Sequence, residues 1–194
     1  MDTLLGLAQN RQSCRNFDPA RPVEREKLTA CLEAARLSPS ACNSQPWRYI
    51  AVDEPERLPQ LAACLQETGL NRFTENARAF VVVIEGRQNF TARMGGSLKN
   101  QPFSGIDIGL SVAHLILAAA DQGLASCVVG WFNERKIKML LGIPKTRRVR
   151  LVVSLGYAAG GGLPPPEVPV RRNPMAEKGV PLRHAGPSAA SPTR

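Results

Sequence analysis

The run Ala79-Phe-Val-Val-Val-Ile84 constrains the fold of this chain more than any other feature. It is short, rich in β-branched residues and bounded by charge. Its apolar character is continuous rather than alternating, which is typical of a strand covered on both faces. A sheet that contains such a strand needs a layer of helices on each side. The run therefore predicts a three-layer domain of the α+β or α/β class.

Further helices and strands are interleaved along the chain. Apolar periodicity and chain breakers predict helices over 2–10, 24–37, 55–65, 106–122 and 133–141, and strands over 47–52, 127–130 and 150–155. The helix over 106–122 is apolar nearly all round, so we expect it to be the central buried helix, with His114 a satisfied core residue rather than a catalyst. The polar connection over 86–104 is long, and we expect a mobile substrate-side element there.

Length and charge limit the classes of protein that this chain can belong to. With 194 residues, we expect one domain over 1–175 and a basic, Pro/Gly/Ser-rich, partly disordered tail over 176–194. The net charge of +9 would attract a polyanion, but residues 145–194 carry nine Lys or Arg against two Glu, which favours a solvated basic tail. No apolar run approaches the roughly 20 residues that span a bilayer, and the N-terminus lacks the basic start of a secretory signal. We therefore expect a cytoplasmic protein that binds neither nucleic acid nor membrane.

The five cysteines do not form a recognisable framework. Their number is odd, their spacing is wide, and only two histidines accompany them, so a zinc site or a set of disulfides is not expected. Cys14 and Cys42 do lie within polar motifs, which leaves a redox-active or nucleophilic thiol as an alternative to simple packing.

Two polar segments are the candidate functional regions. In an extended Arg11-Gln-Ser-Cys-Arg15 segment, residues 11, 13 and 15 point to one side, so two guanidinium groups and a hydroxyl converge where a phosphate could sit. A second polar loop follows, Ser38-Pro-Ser-Ala-Cys-Asn-Ser-Gln-Pro-Trp47. Because the Gly-x-Gly-x-x-Gly and P-loop patterns are both absent, any nucleotide-like cofactor must be held in a different way.

These segments resemble the first two motifs of the FMN-dependent nitroreductase family, in which Arg-x-Ser-x-Arg precedes an aromatic residue, here Phe17. Ile106-Asp-Ile-Gly109, with Gly123-Leu124 further on, is similar to the central dimer-interface helix of that family. Three further segments of this chain resemble the C-terminal block of the family: Val129-Gly-Trp-Phe-Asn133, Leu141-Gly-Ile-Pro144 and Leu155-Gly-Tyr157. Four matches in the same order are more specific than any one of them.

The resemblance implies a nitroreductase-like α+β fold, in which helices flank a central, mainly antiparallel sheet. It also implies an intertwined homodimer with FMN sites shared between the subunits. Matching positions would place twelve residues at the flavin. Those expected at its phosphate and ribityl chain are Arg11, Gln12, Ser13, Arg15 and Arg172. Those expected to line the flavin of the partner subunit are Pro39, Ser40, Ala41 and Asn43. Those expected near the ring are Asn71, Val129 and Gly130.

The resemblance further implies an FMN-dependent oxidoreductase that passes hydride from NADH or NADPH, through FMN, to nitroaromatic or quinone-like acceptors in a ping-pong cycle. The cofactor carries the chemistry, so no catalytic residue and no metal is assigned. One departure is Thr74, which stands where the family often has Lys. Alternative functions are another flavin reaction (dehydrogenation, reductive dehalogenation or flavin destruction), a non-catalytic flavin-binding protein, or a nucleic-acid-binding protein that works through its basic tail.

Overall fold

The computed structural model describes residues 3–87, 89, 101 and 103–161 of the chain. Within these residues there are five α-helices: α1 Leu4–Asn10, α2 Arg25–Arg36, α3 Leu58–Leu65, α4 Phe103–Asp121 and α5 Glu134–Leu141. The four strands are β1 Trp47–Val52, β2 Ala79–Glu85, β3 Ala125–Val129 and β4 Val149–Gly156. The predicted tail over 176–194 lies outside the described residues, as does most of the connection over 86–104.

The strands form one antiparallel sheet in the order β1-β2-β4-β3. β2 is therefore an inner strand, and its Val81 lies across from Ala51 of β1 on one side and from Val153 of β4 on the other. An inner strand pairs with a neighbour on each side, so its backbone hydrogen bonds lie within the sheet. Where helices cover both faces of the sheet, the side chains of such a strand are apolar on both faces. Ala79 to Ile84 are all buried, which confirms the two-sided strand that the sequence predicts.

Alternation along β2 divides the core into two layers. Ala79, Val81 and Val83 pack on the face covered by α2 and α4. Phe80, Val82 and Ile84 point to the opposite face and pack with residues of α3 and α5. Because neighbouring side chains of a strand point to opposite faces, one continuous apolar run supplies both cores. The α+β class, with helices flanking an antiparallel sheet, is confirmed.

Most predicted elements occur within a few residues of their expected bounds. The predicted cap of α5 is confirmed, since the Asn133 side chain accepts a hydrogen bond from the Lys136 N–H at 3.0 Å. Gly142 ends this helix in the left-handed conformation, with φ of 65°. α3 begins at Leu58 rather than at residue 55, because a turn closed by the Arg57 N–H and the Glu54 carbonyl at 2.9 Å precedes it.

The prediction for the central helix is wrong in one respect. α4 packs against α2 on one side, but Ile106 and Leu110 on another side remain 48% and 44% exposed. His114 is half-buried and does not belong to the core. The apolar composition of α4 gave no sign of which face the chain itself covers.

α4 is also the one helix, among the described residues, that is long and apolar enough to cross a membrane by length and composition. The prediction that no apolar run approaches the roughly 20 residues that span a bilayer is wrong. The helix begins at Phe103 rather than at Ile106 and has 19 residues. Core helices of soluble proteins meet the same criterion, so this is weak support for a membrane span.

Candidate functional site

The segment after α1 lies beside β3. Ser13 forms a parallel bridge with Ser126, and the Cys14 N–H donates to the Ser126 carbonyl at 2.9 Å. Cys14 and Phe17 are buried, whereas Ser13 and Arg15 are exposed. The extended backbone thus turns alternate side chains inward and outward, and the outward ones are the polar ones.

Ser13 lies beside Ser126, the residue before Cys127 in β3, because the two serines form the parallel bridge. Burial and, to a smaller extent, Cys14 raise the pKa of Cys127, whereas the charge of Arg15, a hydrogen bond with the Ser13 side chain and the charge of Arg11 lower it. Arg11 and Arg15 flank Ser13 in the chain, so the segment carries two positive charges and a hydroxyl beside the edge strand. This region favours an anion, and a phosphate would find charge-assisted donors there.

The second polar segment is a tight loop between α2 and β1. Ala41–Asn43 form a 3-10 turn, and three residues of the loop have left-handed backbones: Cys42, Asn43 and Gln45, with φ of 51°, 50° and 44°. The Ser40 hydroxyl accepts from the Gln45 N–H at 2.9 Å. Such conformations are costly for residues other than glycine, and they concentrate at functional sites.

A third group of predicted residues lies where β3 ends. Val129 is buried, Gly130 is exposed, and the side-chain amide of Asn71 donates to the carbonyls of Trp131 and Leu65, both at 3.1 Å. Asn71 is itself left-handed, with φ of 56°. It therefore fixes the turn that follows Gly130, whatever else it contacts.

Among the residues that the structure describes, the space beside Gly130 is open. A Cβ built on this residue would meet one atom within 4 Å, Leu151 Cδ2 at 3.9 Å. Thr74, which stands where the family often has Lys, is fully buried and donates to the Asn71 carbonyl at 2.8 Å. Thr74 is consequently a structural residue here and cannot supply a charge.

Two of the three groups of predicted residues adjoin β3, and one does not. The segment with Arg11, Gln12, Ser13 and Arg15 lies beside β3, and Asn71, Val129 and Gly130 lie at its C-terminal end and the turn that follows. The loop with Pro39, Ser40, Ala41 and Asn43 adjoins α4 instead. Arg172 lies outside the described residues. Sequence reasoning missed Asp107, whose buried carboxylate accepts from the Ala41 N–H. Asp107 is one of two carboxylates in this largely apolar helix, the other being Asp121 at its C-terminal end. A carboxylate early in an apolar stretch was the signal that could have found it.

The cysteines offer little support for thiol chemistry at the polar motifs. Cys14 is buried, burial raises its pKa, and its thiol donates to the Asn16 carbonyl at 3.4 Å. Since the thiolate is the nucleophile, a raised pKa disfavours reaction there. Cys42 is exposed. Among the described residues, no group of three or more His, Cys, Asp or Glu side chains could hold a metal ion.

Fold and site together define an α+β protein with a basic segment beside the edge strand of an antiparallel sheet. The sequence profile of the nitroreductase family matches residues 8–68 and 59–157, and the chain belongs to this family of oxidoreductases.

The chain is similar to an iodotyrosine deiodinase of Thermotoga neapolitana, with 29% identity over 81% of this chain and 89% of that protein. It is 27% identical to an oxygen-insensitive NADPH nitroreductase of Helicobacter acinonychis, over 70% of this chain and 77% of that protein. A crystal structure of an Exiguobacterium sibiricum protein in complex with FMN matches with a TM-score of 0.71 at 26% identity, over 90% of this chain and 95% of that one.

Proposed function

We propose that this protein is an FMN-dependent oxidoreductase that passes reducing equivalents from NADH or NADPH to nitroaromatic or quinone-like acceptors. The docking of the Arg11–Arg15 segment against the edge strand β3, through the Ser13–Ser126 bridge, carries the proposal, because two arginines and a hydroxyl there would provide a site for a phosphate monoester. Family membership and the FMN complex of the Exiguobacterium sibiricum protein support the choice of cofactor.

The residues of this chain fit FMN in two ways. The two arginines and Ser13 would hold the phosphate through charge-assisted hydrogen bonds, with Gln12 and Arg172 as further ligands. The open space beside Gly130 leaves room for a planar ring against the backbone, since within the described part of the chain a Cβ there would meet only Leu151 Cδ2 within 4 Å. The backbone N–H groups at Val129 and Gly130 would then lie along the edge of that ring. Asn71 keeps this turn in place through its bond to the Trp131 carbonyl.

The proposal includes a homodimer in which the loop of one subunit completes the flavin site of the other. Large apolar side chains of α1 and α4 support it: Leu4 and Leu5 are 70% and 67% exposed, and Ile106 and Leu110 are nearly half exposed. The two helices pack together, so these exposed side chains lie on neighbouring helices. Monomeric proteins rarely expose large contiguous apolar patches, and a second copy of the chain would cover this one. Pro39, Ser40, Ala41 and Asn43 would then reach the flavin of the partner subunit.

When bound, FMN supplies the two-electron chemistry between donor and acceptor, and the protein supplies binding, orientation and electrostatics. Donor and acceptor would use the same open face in turn, which gives ping-pong kinetics. We assign no protein acid, base or nucleophile. The location is proposed to be cytoplasmic, with no nucleic acid or membrane as partner.

A second candidate reaction is reductive dehalogenation, and the similarity to the Thermotoga neapolitana iodotyrosine deiodinase favours it specifically. It would use the same FMN site and differ in the residues that contact the acceptor.

The test begins with the visible spectrum of the purified protein after addition of FMN. Oxidation of NADH and of NADPH is then followed with a quinone, a nitroaromatic compound and an iodinated tyrosine as separate acceptors. Turnover with the first two supports the leading reaction, and turnover confined to the third supports the second candidate. A protein that takes up no FMN would refute both.

A further inference from the structure

Asp107 is a buried carboxylate that contacts the backbone of the polar loop between α2 and β1. It lies near the start of α4, its residue is 3% exposed, and its two oxygens lie 3.1 and 3.2 Å from the Ala41 nitrogen. A charged group is costly to bury unless it is hydrogen-bonded, so the bond to the Ala41 N–H offsets part of the cost of burying Asp107. Asp107 and Ala41 are 66 residues apart, which makes the contact a tertiary one rather than a local cap.

The backbone that Asp107 holds is strained. Ala41 opens the 3-10 turn, and the left-handed residues Cys42, Asn43 and Gln45 follow immediately. Conformations of this kind persist only when surrounding contacts fix them. Asn89 supplies another such contact, because its side-chain amide donates to the Cys42 carbonyl at 2.8 Å. The carboxylate fixes the N-terminal end of the turn, and the amide fixes its middle.

We infer that Asp107 is a positioning residue for the flavin: its bond to the Ala41 N–H holds the turn Ala41–Asn43 in the conformation that lines the cofactor of the partner subunit. The inference rests on the proposed function. The same helix carries the exposed Ile106 and Leu110, so Asp107 also links the proposed subunit interface to the cofactor loop. The carboxylate acts through the loop and is not assigned a contact with the cofactor.

The choice of variants separates positioning from general stability. Asp107→Ala removes the acceptor and leaves the Ala41 N–H unpaired, whereas Asp107→Asn keeps one carbonyl oxygen that can accept from it. Ser111→Ala is the matched control. Ser111 is a buried residue one turn further along α4, and its hydroxyl donates to the Ala35 carbonyl of α2 at 2.6 Å, not to the turn.

The full-length variants are titrated with FMN, their denaturation midpoints are measured in urea, and the visible circular dichroism of the bound flavin is recorded. We expect Asp107→Ala to raise the Kd for FMN about tenfold, the scale of one charge-assisted hydrogen bond, and to alter the flavin dichroism. Asp107→Asn should recover most of this loss. Ser111→Ala should lower the urea midpoint while leaving the Kd and the dichroism as in the wild type.

Unchanged FMN affinity in Asp107→Ala would overturn the inference, and so would an equal loss of affinity in Ser111→Ala. If Asp107→Ala does not fold, the comparison of Asp107→Asn with Ser111→Ala decides: a Kd about threefold above wild type in the former alone supports positioning, and no difference refutes it. If the wild-type protein itself binds no FMN, the proposed function fails and the inference with it. Normal wild-type binding with an unaffected Asp107→Ala variant refutes the inference alone.

Discussion

Gly130→Ala provides a direct test of where the cofactor lies. Within the residues 3–87, 89, 101 and 103–161 this substitution is nearly free of steric cost, because the new Cβ would have one neighbour there within 4 Å, Leu151 Cδ2 at an ordinary contact distance of 3.9 Å. Gly130 is exposed, and it is not among the residues with positive φ, so an alanine fits its backbone. If the ring of FMN lies against this backbone, the added methyl group occupies space that the ring needs.

Gly130→Ala should change the free energy of FMN binding much more than the free energy of unfolding. Without a ligand, the change in the free energy of unfolding should stay within about 0.5 kcal/mol, as for other surface substitutions. Overpacking against a planar ring should weaken FMN binding by about 1–3 kcal/mol, which is a rise in Kd of about 5- to 150-fold. Quenching of FMN fluorescence measures the Kd, and urea denaturation of the apoprotein measures stability.

Gly156→Ala is the contrasting control. A Cβ there would lie 3.0 Å from Phe17 Cδ1 in the core, so this variant should lose stability through overpacking. The pair therefore separates loss of cofactor affinity from loss of folding. Gly130→Ala with wild-type FMN affinity would refute the proposed position of the ring.

Three further results are expected. Arg11→Ala and Arg15→Ala should each weaken FMN binding by about 1.5–3 kcal/mol in titration, because each removes a charge-assisted phosphate contact, whereas the distant Arg25→Ala should not; equal effects at all three sites would exclude a local phosphate site. Leu110→Lys should shift sedimentation from dimer toward monomer with loss of FMN, because it places a charge on the exposed apolar face of α4; a variant that stays dimeric would count against this interface. Burial raises the pKa of Tyr49 to about 12. The stability that the neutral Tyr49 side chain contributes is therefore intact below the ordinary tyrosine pKa of about 10 and is lost as pH rises toward 12. Urea midpoints should fall over this range in the wild type and less in Tyr49→Phe, and parallel curves would contradict the assignment.

Local sequence determined much of the secondary structure. The strand bounds of β1 were predicted to the residue, and Asn133 and Gly142 marked both ends of α5, because caps and left-handed turns depend on neighbouring residues alone. The start of α4 was placed three residues late, since Phe103-Ser-Gly105 interrupts the apolar pattern without interrupting the helix. Periodicity reports burial, and the ends of a helix need not be buried.

The candidate site was predictable in part. The ordered motifs named the residues on both sides of the proposed flavin, and the structure places Ser13, which Arg11 and Arg15 flank in the chain, beside Ser126 of β3. Asp107 was not predicted, because its partner, Ala41, is 66 residues away and bonds through its backbone rather than through a polar side chain. Backbone groups carry no signature in a sequence, so a bond to one of them becomes visible only in the folded chain.

The sequence by itself determined that β2 is covered on both faces, since six consecutive apolar residues can be buried only between two layers. Tertiary structure alone decided the order β1-β2-β4-β3, the face of α4 that stays exposed, and the strained turn that Asp107 holds. The physical reason is the range of the interactions. Burial pattern and capping act between residues close in the chain, whereas strand order, exposed faces and the hydrogen bond to Ala41 depend on which distant segments the fold brings together.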